Sequence, residues 1–447
     1  MFQYCNVVTS YEKEISLLKI IRVLDTSVCV SNYESLKSFE KDDIIIPFKV
    51  LEELDNLKDR QDSIGFNARQ VIRILDSLRE TGSLQLGVSL GKGLGKLKIQ
   101  SSTNSDLQIP DREIIGVAQQ LQKEEKRKVI LVSKDINMRV TSDALGIRCE
   151  DYTKDQIISS CDKLYSGNAK IVTSEGDITK VYKDGFLSIS HNALFYNNQF
   201  VLLTSELDEK HTAPVRVVEI NKEIIKVKLL KNMNVNSIRC RNVEQMFAVD
   251  LLLDPKIGII TLTGKSGTGK TLLATAAGLE QTRPDSKISR YKKFIISKPV
   301  QPVGRDIGYL PGSMEEKMMP WLKPVTDNLQ YIIGDKDIAE DYIENGIIEI
   351  EALTYIRGRS IPNAFILIEE VQNMNLKEIK AVLTRVGEGS KIVMTGDIEQ
   401  IDSSYLDETS NALTHVVERF KSYDLSGHVT LQKGERSAIA TIASNIL

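Results

Sequence analysis

Ile257-Gly258-Ile259-Ile260-Thr261-Leu262-Thr263-Gly264-Lys265-Ser266-Gly267-Thr268-Gly269-Lys270-Thr271-Leu272-Leu273-Ala274-Thr275-Ala276-Ala277 decides how this chain is read. An apolar run of strand character leads into a loop with glycines at 264, 267 and 269, and a leucine- and alanine-rich helical run follows. Glycines let successive backbone N–H groups turn inward as a nest around phosphate, and a helix N-terminus adds partial positive charge. The expected nucleotide contacts are therefore Gly264, Lys265, Ser266, Gly267, Thr268 and Gly269. Lys270 is expected to reach the β- and γ-phosphates, and the Thr271 hydroxyl to hold Mg²⁺. A similar run, Gly91-Lys92-Gly93-Leu94-Gly95-Lys96-Leu97, has shorter spacing and no Ser or Thr after its lysine. It is expected to be a flexible loop.

Downstream, the apolar strand Phe365–Ile368 ends in Glu369-Glu370. About 100 residues after a phosphate loop, such a pair offers a carboxylate for Mg²⁺ and one that orients attacking water. Glu369 is assigned to the metal side, although aspartate is usual there, and Glu370 to the water. A third strand, Lys391–Thr395, runs into Gly396-Asp397-Ile398-Glu399-Gln400, where Gln400 is a candidate sensor of the γ-phosphate or the water.

Outward from this core the chain shows three textures. From Lys19 to about Cys161, short apolar runs (Ile20–Leu24, Ile44–Ile46, Val129–Val132) alternate with amphipathic stretches such as Phe66–Arg79, the pattern of a parallel sheet covered by helices. From Gly167 to about Arg239, short β-rich runs punctuated by Gly176, Gly185, Asn197-Asn198 and Pro214 suggest a small antiparallel barrel or meander. From Asn242 the α/β alternation returns. The expected fold class is α/β, with boundaries at 1–162, 163–240 and 241–447.

With 447 residues, 41% of them apolar, the chain is long enough for about three domains and too apolar to be mainly disordered. The 58 basic and 61 acidic residues leave a net charge of -3, so any polyanion must be met by a local basic groove. Five scattered cysteines without a C-x-x-C pair argue against disulfides and zinc, and suit a reducing compartment. No apolar run approaches a membrane span, and Met1–Leu18 is polar and acidic where a signal peptide is basic and then apolar. A soluble cytoplasmic protein without membrane contact is expected.

Further motifs carry a family resemblance. Ser297-Lys298-Pro299-Val300, the run Gly308-Tyr309-Leu310-Pro311-Gly312-Ser313-Met314-Glu315-Glu316-Lys317-Met318, Pro324–Leu329, Ile356-Arg357-Gly358-Arg359 and Glu370-Val371-Gln372-Asn373 resemble PhoH-family ATPases over most of 241–447. The resemblance implies a RecA-like P-loop ATPase domain that binds and hydrolyses ATP and is related to superfamily 1 helicases. It implies that Gln245 recognises adenine and that Arg436 stabilises the γ-phosphoryl charge. It also implies a homo-oligomer, as a hexameric ring, in which Arg436 or Arg359 acts on a neighbour's nucleotide.

The N-terminal third places acids at intervals: Asp25 after the first strand, Glu52-Glu53 after the second, Asp111 at a helix start and Asp135 after Val129–Val132. Each acid alone reads as a cap or a surface residue. Together at one sheet edge they would repel, by about 4 kcal/mol for a pair ~4 Å apart at an effective dielectric near 20, unless a cation or proton intervenes. An all-oxygen set suits Mg²⁺ or Mn²⁺ and water activation against a phosphodiester. Asp25-Thr26-Ser27, Val50-x-x-Glu53-Leu54, Asp111-x-x-Ile114 and Ser133-x-Asp135 resemble the PIN-domain nuclease fold across about 20–155. That resemblance implies Asp25, Glu53, Asp111 and Asp135 as metal ligands, with Ser133 in support and Glu52 as the weaker alternative to Glu53.

The combined expectation is an ATP-dependent RNA helicase or translocase coupled to a metal-dependent endonuclease acting on single-stranded RNA. Two alternatives stay open: an ATPase switch or chaperone-like ring whose PIN domain only binds RNA, and a toxin-like nuclease regulated through a partner. For the nucleic acid itself, Lys287–Lys293 with Lys298 and Arg305, and the aromatics Trp321 and Tyr309, are the candidates.

Overall fold

The computed structural model describes residues 19–60, 63–102, 110–154, 156–190, 193–222, 224–236, 238–299, 323, 326–353, 360–402 and 406–434. The chain divides into two compact units, one ending at Gln156 and the other beginning at Ile157. Among the described residues no helix is long and apolar enough to cross a membrane.

In the first unit, β1 (Ile21–Leu24), β2 (Asp43–Pro47), β3 (Val88–Ser89), β4 (Lys96–Gln100), β5 (Val129–Val132) and β6 (Cys149–Glu150) form one sheet in the order β3-β4-β2-β1-β5-β6. Every pairing is parallel except β3 with β4. Successive strand residues point to opposite faces, so the burial of every residue of β5 means that both faces are covered. The helix Ser63–Thr81 packs on the helices Thr26–Ser31 and Phe48–Leu57. Its buried Asn67 donates to the carbonyls of Val30 and Ser31, at 2.7 and 3.2 Å, and so closes the end of the first helix. The decoy Gly91–Leu97 run is the connection of the β3–β4 hairpin: Gly91 and Gly93 take φ of 133° and 82°, while Lys96 and Leu97 already belong to β4.

Register sets the chemistry of this sheet. Leu24 pairs with Val132, and the Asp25 N–H donates to the Val132 carbonyl at 3.0 Å. One step further along the same ladder, Asp25 and Ser133 leave the carboxyl edge side by side.

The second unit holds two sheets. The smaller comprises β7 (Asn168–Thr173), β8 (Phe186–Ser190), β9 (Phe200–Ser205), β10 (Thr212–Asn221) and β11 (Ile224–Leu229), in the order β7-β9-β10-β11-β8. Four of these strands are antiparallel neighbours, whereas β7 runs parallel to β9. The intervening chain includes a helix, Glu175–Asp184, that the glycine pattern hid. Gly176 is not a break: it lies in the first turn, where the Ser174 hydroxyl accepts the Asp177 N–H at 3.1 Å. The stop is Gly185, left-handed at φ 77°.

The larger sheet comprises β12 (Ile259–Gly264), β13 (Lys293–Lys298), β14 (Ile348–Ala352), β15 (Ala364–Ile368), β16 (Lys391–Gly396) and β17 (Ser426–Leu431). Its order is β14-β13-β15-β16-β12-β17, and all its pairings are parallel. The helix Lys270–Glu280 packs against it so closely that a Cβ on Gly278 would stand 2.6 Å from the Phe294 ring.

The two sheets of this unit share packing. Phe200 stacks on Phe247 with centroids 4.5 Å apart. Arg216 of β10 reaches Asp250 at 2.6 Å and Asp254 at 2.5 Å, both on or just past the helix Val243–Leu253. Asn198 donates to the carbonyls of Asp424 and Ser426. Behind them, burial pushes the His428 pKa down to about 3, and the neutral ring lies between Thr261 and Thr430.

Candidate active sites

The phosphate loop leaves β12 with Gly264, Gly267 and Gly269 all at positive φ, of 143°, 87° and 97°. Gly264 has no room for a side chain, since a Cβ there would sit 2.1 Å from the Leu431 carbonyl oxygen. Gly269 is the N-cap of the helix Lys270–Glu280. Thr268 is fully buried, and both its hydroxyl, at 2.9 Å, and its N–H, at 3.4 Å, donate to the Lys265 carbonyl, so this residue closes the loop from within. The Lys270 ammonium donates to the carbonyls of Gly264 and Lys265, at the mouth of the nest.

Gln245 is buried beneath the loop. Its Nε2 donates to the Thr268 carbonyl at 3.0 Å and its Oε1 accepts the Arg241 N–H at 2.9 Å. These bonds brace the loop from the helix Val243–Leu253, and adenine recognition would add to that brace.

Glu369 and Glu370 follow β15. Glu369 is buried beside Thr271, which hydrogen-bonds its side chain, and its Oε1 has no hydrogen-bond partner. Burial raises its pKa, and Lys298, the Thr271 hydroxyl and Lys270 oppose that rise. A buried orphan carboxylate oxygen beside a threonine hydroxyl is a donor set that fits Mg²⁺. Glu370 takes the left-handed conformation, φ 53° and ψ 40°, and its carboxylate lies 3.9 Å from the Lys298 ammonium. Lys298 thus stands at the nucleotide edge, away from the basic run at 287–293.

The third strand brings an acid that the sequence reading passed over. Asp397 is buried, and burial raises its pKa against the attraction of Lys270 and a hydrogen bond from the Ser266 backbone. Glu399 pairs with Lys265 at 3.2 Å. Gln400 enters through its carbonyl, which accepts from Gln372 Nε2 at 2.9 Å, and its side chain is exposed. The signal for Asp397 was the strand end itself, since the polar residue just past a buried strand sits at the crevice. Arg436, Arg359, Arg305, Tyr309 and Trp321 lie outside the described residues. Tyr291, the aromatic of the basic run, is buried with its ring edge-on to Phe365, which withdraws it from base stacking.

The acid cluster of the first unit is built on hydroxyls. Asp25 is buried at the N-cap of the helix Thr26–Ser31. Its Oδ1 accepts the Thr26 N–H at 2.7 Å, and its Oδ2 accepts the hydroxyls of Ser27 at 2.5 Å and Ser133 at 2.6 Å. Thr26 Oγ1 donates to Glu53 Oε2. Ser133 accepts the Asp135 N–H at 3.0 Å, and Asp135 caps the helix Ile136–Ala144. Glu52 instead points outward to Lys49, 2.8 Å away.

The Glu53 pKa is raised by burial, which the Thr26 hydrogen bond opposes and the charges of Asp25 and Asp111 reinforce. Asp111, at the start of the helix Pro110–Glu124, is raised by partial desolvation and then by Asp25 and Asp135. The four acids therefore feel one another, although among the described residues no three His, Cys, Asp or Glu side chains close into a ready cage. An all-oxygen anionic set in which burial raises Glu53 and Asp111 is chemically suited to a hard divalent cation.

Residues 237–444 match the family described as PhoH-like protein, and residues 22–153 match the PIN domain family. The chain is 44% identical to Protein PhoH2 of Bacillus subtilis, over 96% of this chain and 99% of that one. It is 32% identical to Protein PhoH2 of Thermobispora bispora, over 95% and 96%. The PhoH-like protein of Bacillus subtilis is 37% identical over 39% of this chain and 52% of its own. Among solved structures, one titled The structure of PRRSV helicase covers 49% of this chain and 39% of its own, at 13% identity and a TM-score of 0.20, a likeness too slight to bear on function.

Proposed function

We propose, from the premise that this chain belongs to the PhoH2 family and joins a PIN domain to a PhoH-like P-loop domain, that it is an ATP-driven RNA-processing enzyme. The PhoH-like domain binds and hydrolyses ATP to move along or unwind RNA, and the PIN domain cuts the single strand. The observation that carries the motor half is the buried, unpartnered Glu369 oxygen beside Thr271 at the head of the phosphate loop. A desolvated carboxylate oxygen without a hydrogen-bond partner is costly unless a cation belongs there.

Backbone N–H groups of 265–269 and Lys270 hold the phosphates, and Glu370 orients the attacking water. Thr271 and Glu369 would hold Mg²⁺, which would supply charge neutralisation at the transferring phosphoryl group. At the PIN site Asp25, Glu53, Asp111 and Asp135 would hold Mg²⁺ or Mn²⁺, which would supply acidification of the attacking water. Ser27 and Ser133 fix the Asp25 carboxylate, and Thr26 fixes Glu53. The protein acts in the cytoplasm as a homo-oligomeric ring.

A second reading, in which the PIN domain binds RNA without cutting it, draws on the hydroxyls that already occupy the Asp25 oxygens. One comparison tests the whole: ATP hydrolysis with single-stranded RNA against single-stranded DNA, with strand cleavage followed in Mg²⁺ and in Mn²⁺. RNA-stimulated hydrolysis with metal-dependent cleavage is expected. Hydrolysis indifferent to RNA sinks the motor reading, and intact RNA in both metals leaves the binding-only PIN domain.

A further inference from the structure

Gln372 lies in the 3-10 turn Val371–Asn373, two residues past Glu370, and is fully buried. Both ends of its amide are engaged. Nε2 donates to Glu370 Oε2 at 2.7 Å and to the Gln400 carbonyl at 2.9 Å, and Oε1 accepts the Asp397 N–H at 3.2 Å. These partners fix which way the amide faces: a backbone N–H can only donate, and a carbonyl and a carboxylate can only accept. Gly396 leaves the space, because a Cβ there would sit 2.2 Å from Gln372 Oε1.

The far partners belong to the segment leaving β16, and that segment sits on the phosphate loop. Asp397 feels Lys270 and accepts from the Ser266 backbone, and Glu399 pairs with Lys265. Asn373 fastens the same segment a second time, with Asp402 N–H donating to its Oδ1 at 2.8 Å. Glu370 needs such support. A left-handed non-glycine residue is sterically disfavoured and persists where its surroundings over-determine it. Its side chain is 39% exposed, so without a fixed partner the carboxylate would sample several rotamers.

We propose that Gln372 is the positioning residue for Glu370, holding its carboxylate in the water-orienting pose only while the 397–402 segment is seated on the phosphate loop. Loss of that positioning slows hydrolysis without weakening nucleotide binding. The inference rests on the reading of Glu370 as the group that orients water.

The test uses the full-length chain, with ATP turnover and the affinity for a fluorescent N-methylanthraniloyl ADP measured on the same samples. Gln372→Glu keeps the size and the acceptor for Asp397 N–H but replaces the neutral amide donor with a second carboxyl, which repels Glu370 or shares its proton. Gln372→Met removes both donor and acceptor, and if it unfolds, the near-isosteric Gln372→Glu decides. Each is expected to lower kcat about 100-fold while the ADP analogue binds within about threefold of the parent. In a Glu370→Gln background, Gln372→Glu should lower the residual rate by less than about threefold, because both changes remove one function. Parental kcat in Gln372→Glu, losses that multiply with Glu370→Gln, or loss of ADP binding in step with kcat overturn the inference. If Glu370→Gln itself keeps parental kcat, the water-orienting assignment of Glu370 falls and takes the inference with it. If Glu370→Gln is inactive while Gln372→Glu is active, only the positioning role falls.

Discussion

The phosphate-loop site and the acid cluster of the PIN domain both sit at the carboxyl edge of a parallel sheet, yet they handle charge in opposite ways. Around the loop, Lys270, Lys298 and Lys265 stand against Glu369, Asp397, Glu370 and Glu399 in alternating sign. In the acid cluster, Glu53 and Asp111 are pushed toward their protonated forms by burial and by other acids, and hydroxyls do the holding. Lysines balance most of the acids of one site before any ion arrives, with the buried Glu369 oxygen left over, whereas the other is tense until an ion arrives. The same edge geometry can therefore serve a site that leaves one open acid oxygen for its ion and a site that hydroxyls hold until the ion comes.

That contrast breaks most visibly if the two sites are not independent chemistries. Lys270→Ala should lower ATP hydrolysis by about 100-fold or more and leave metal-dependent RNA cleavage near the parental rate in the absence of ATP. Asp25→Asn with Asp135→Asn should do the reverse. Turnover assays on both variants check this, and loss of both activities in either variant would merge the sites.

A smaller effect tests what supports the balanced site. Arg216→Ala leaves Asp250 and Asp254 largely buried and uncompensated, which should cost roughly 3 kcal/mol in the denaturant unfolding of the second unit. Arg216→Lys should recover only part of it, since one ammonium cannot span both carboxylates as the fork does.

The smallest effect reads the tension directly. In metal-free buffer at neutral pH, Glu53→Gln should raise the melting temperature of the first unit by about 2 °C. The folded-state pKa of Glu53 is raised, so its penalty is fully present above that pKa and disappears as pH falls through it toward the unfolded value. The advantage of the variant should accordingly vanish in acid. It should also shrink when Mg²⁺ or Mn²⁺ is added to the parent. Equal melting temperatures at neutral pH would remove the repulsion from the account.

What the sequence made legible follows from how local each signal is. The phosphate loop is contiguous, and its three positive-φ glycines were readable as glycines. Buried strands such as Val129–Val132 announced themselves as unbroken apolar runs. β17 did not, because Ser426, His428 and Thr430 are polar; His428 and Thr430 bond to Thr261 and Thr263 of the neighbouring strand β12, and the Ser426 hydroxyl bonds to the Phe420 and Tyr423 carbonyls. The helix Glu175–Asp184 was hidden by Gly176, whose cost is met by the Ser174 cap and the packing of Ile178 and Val181. In the acid cluster the carboxylates were legible from their strand ends, but the roles of Thr26 and Ser27 required the register that sets β1 beside β5. Gln372 looked like one letter of a motif, and only three-dimensional partners 25 to 28 residues away make it a hub.

The left-handed turn at Glu370 has an evolutionary corollary. At φ 53° the backbone would welcome glycine, which relieves the steric penalty. Folding and chemistry therefore favour different residues at this single codon, and drift unopposed by selection for turnover would replace the acid with glycine while the fold stayed intact. If Glu370 orients water as proposed, the residue at this position in a relative reports its history: glutamate marks a lineage selected for hydrolysis, and glycine one that has retained the scaffold and relinquished the engine.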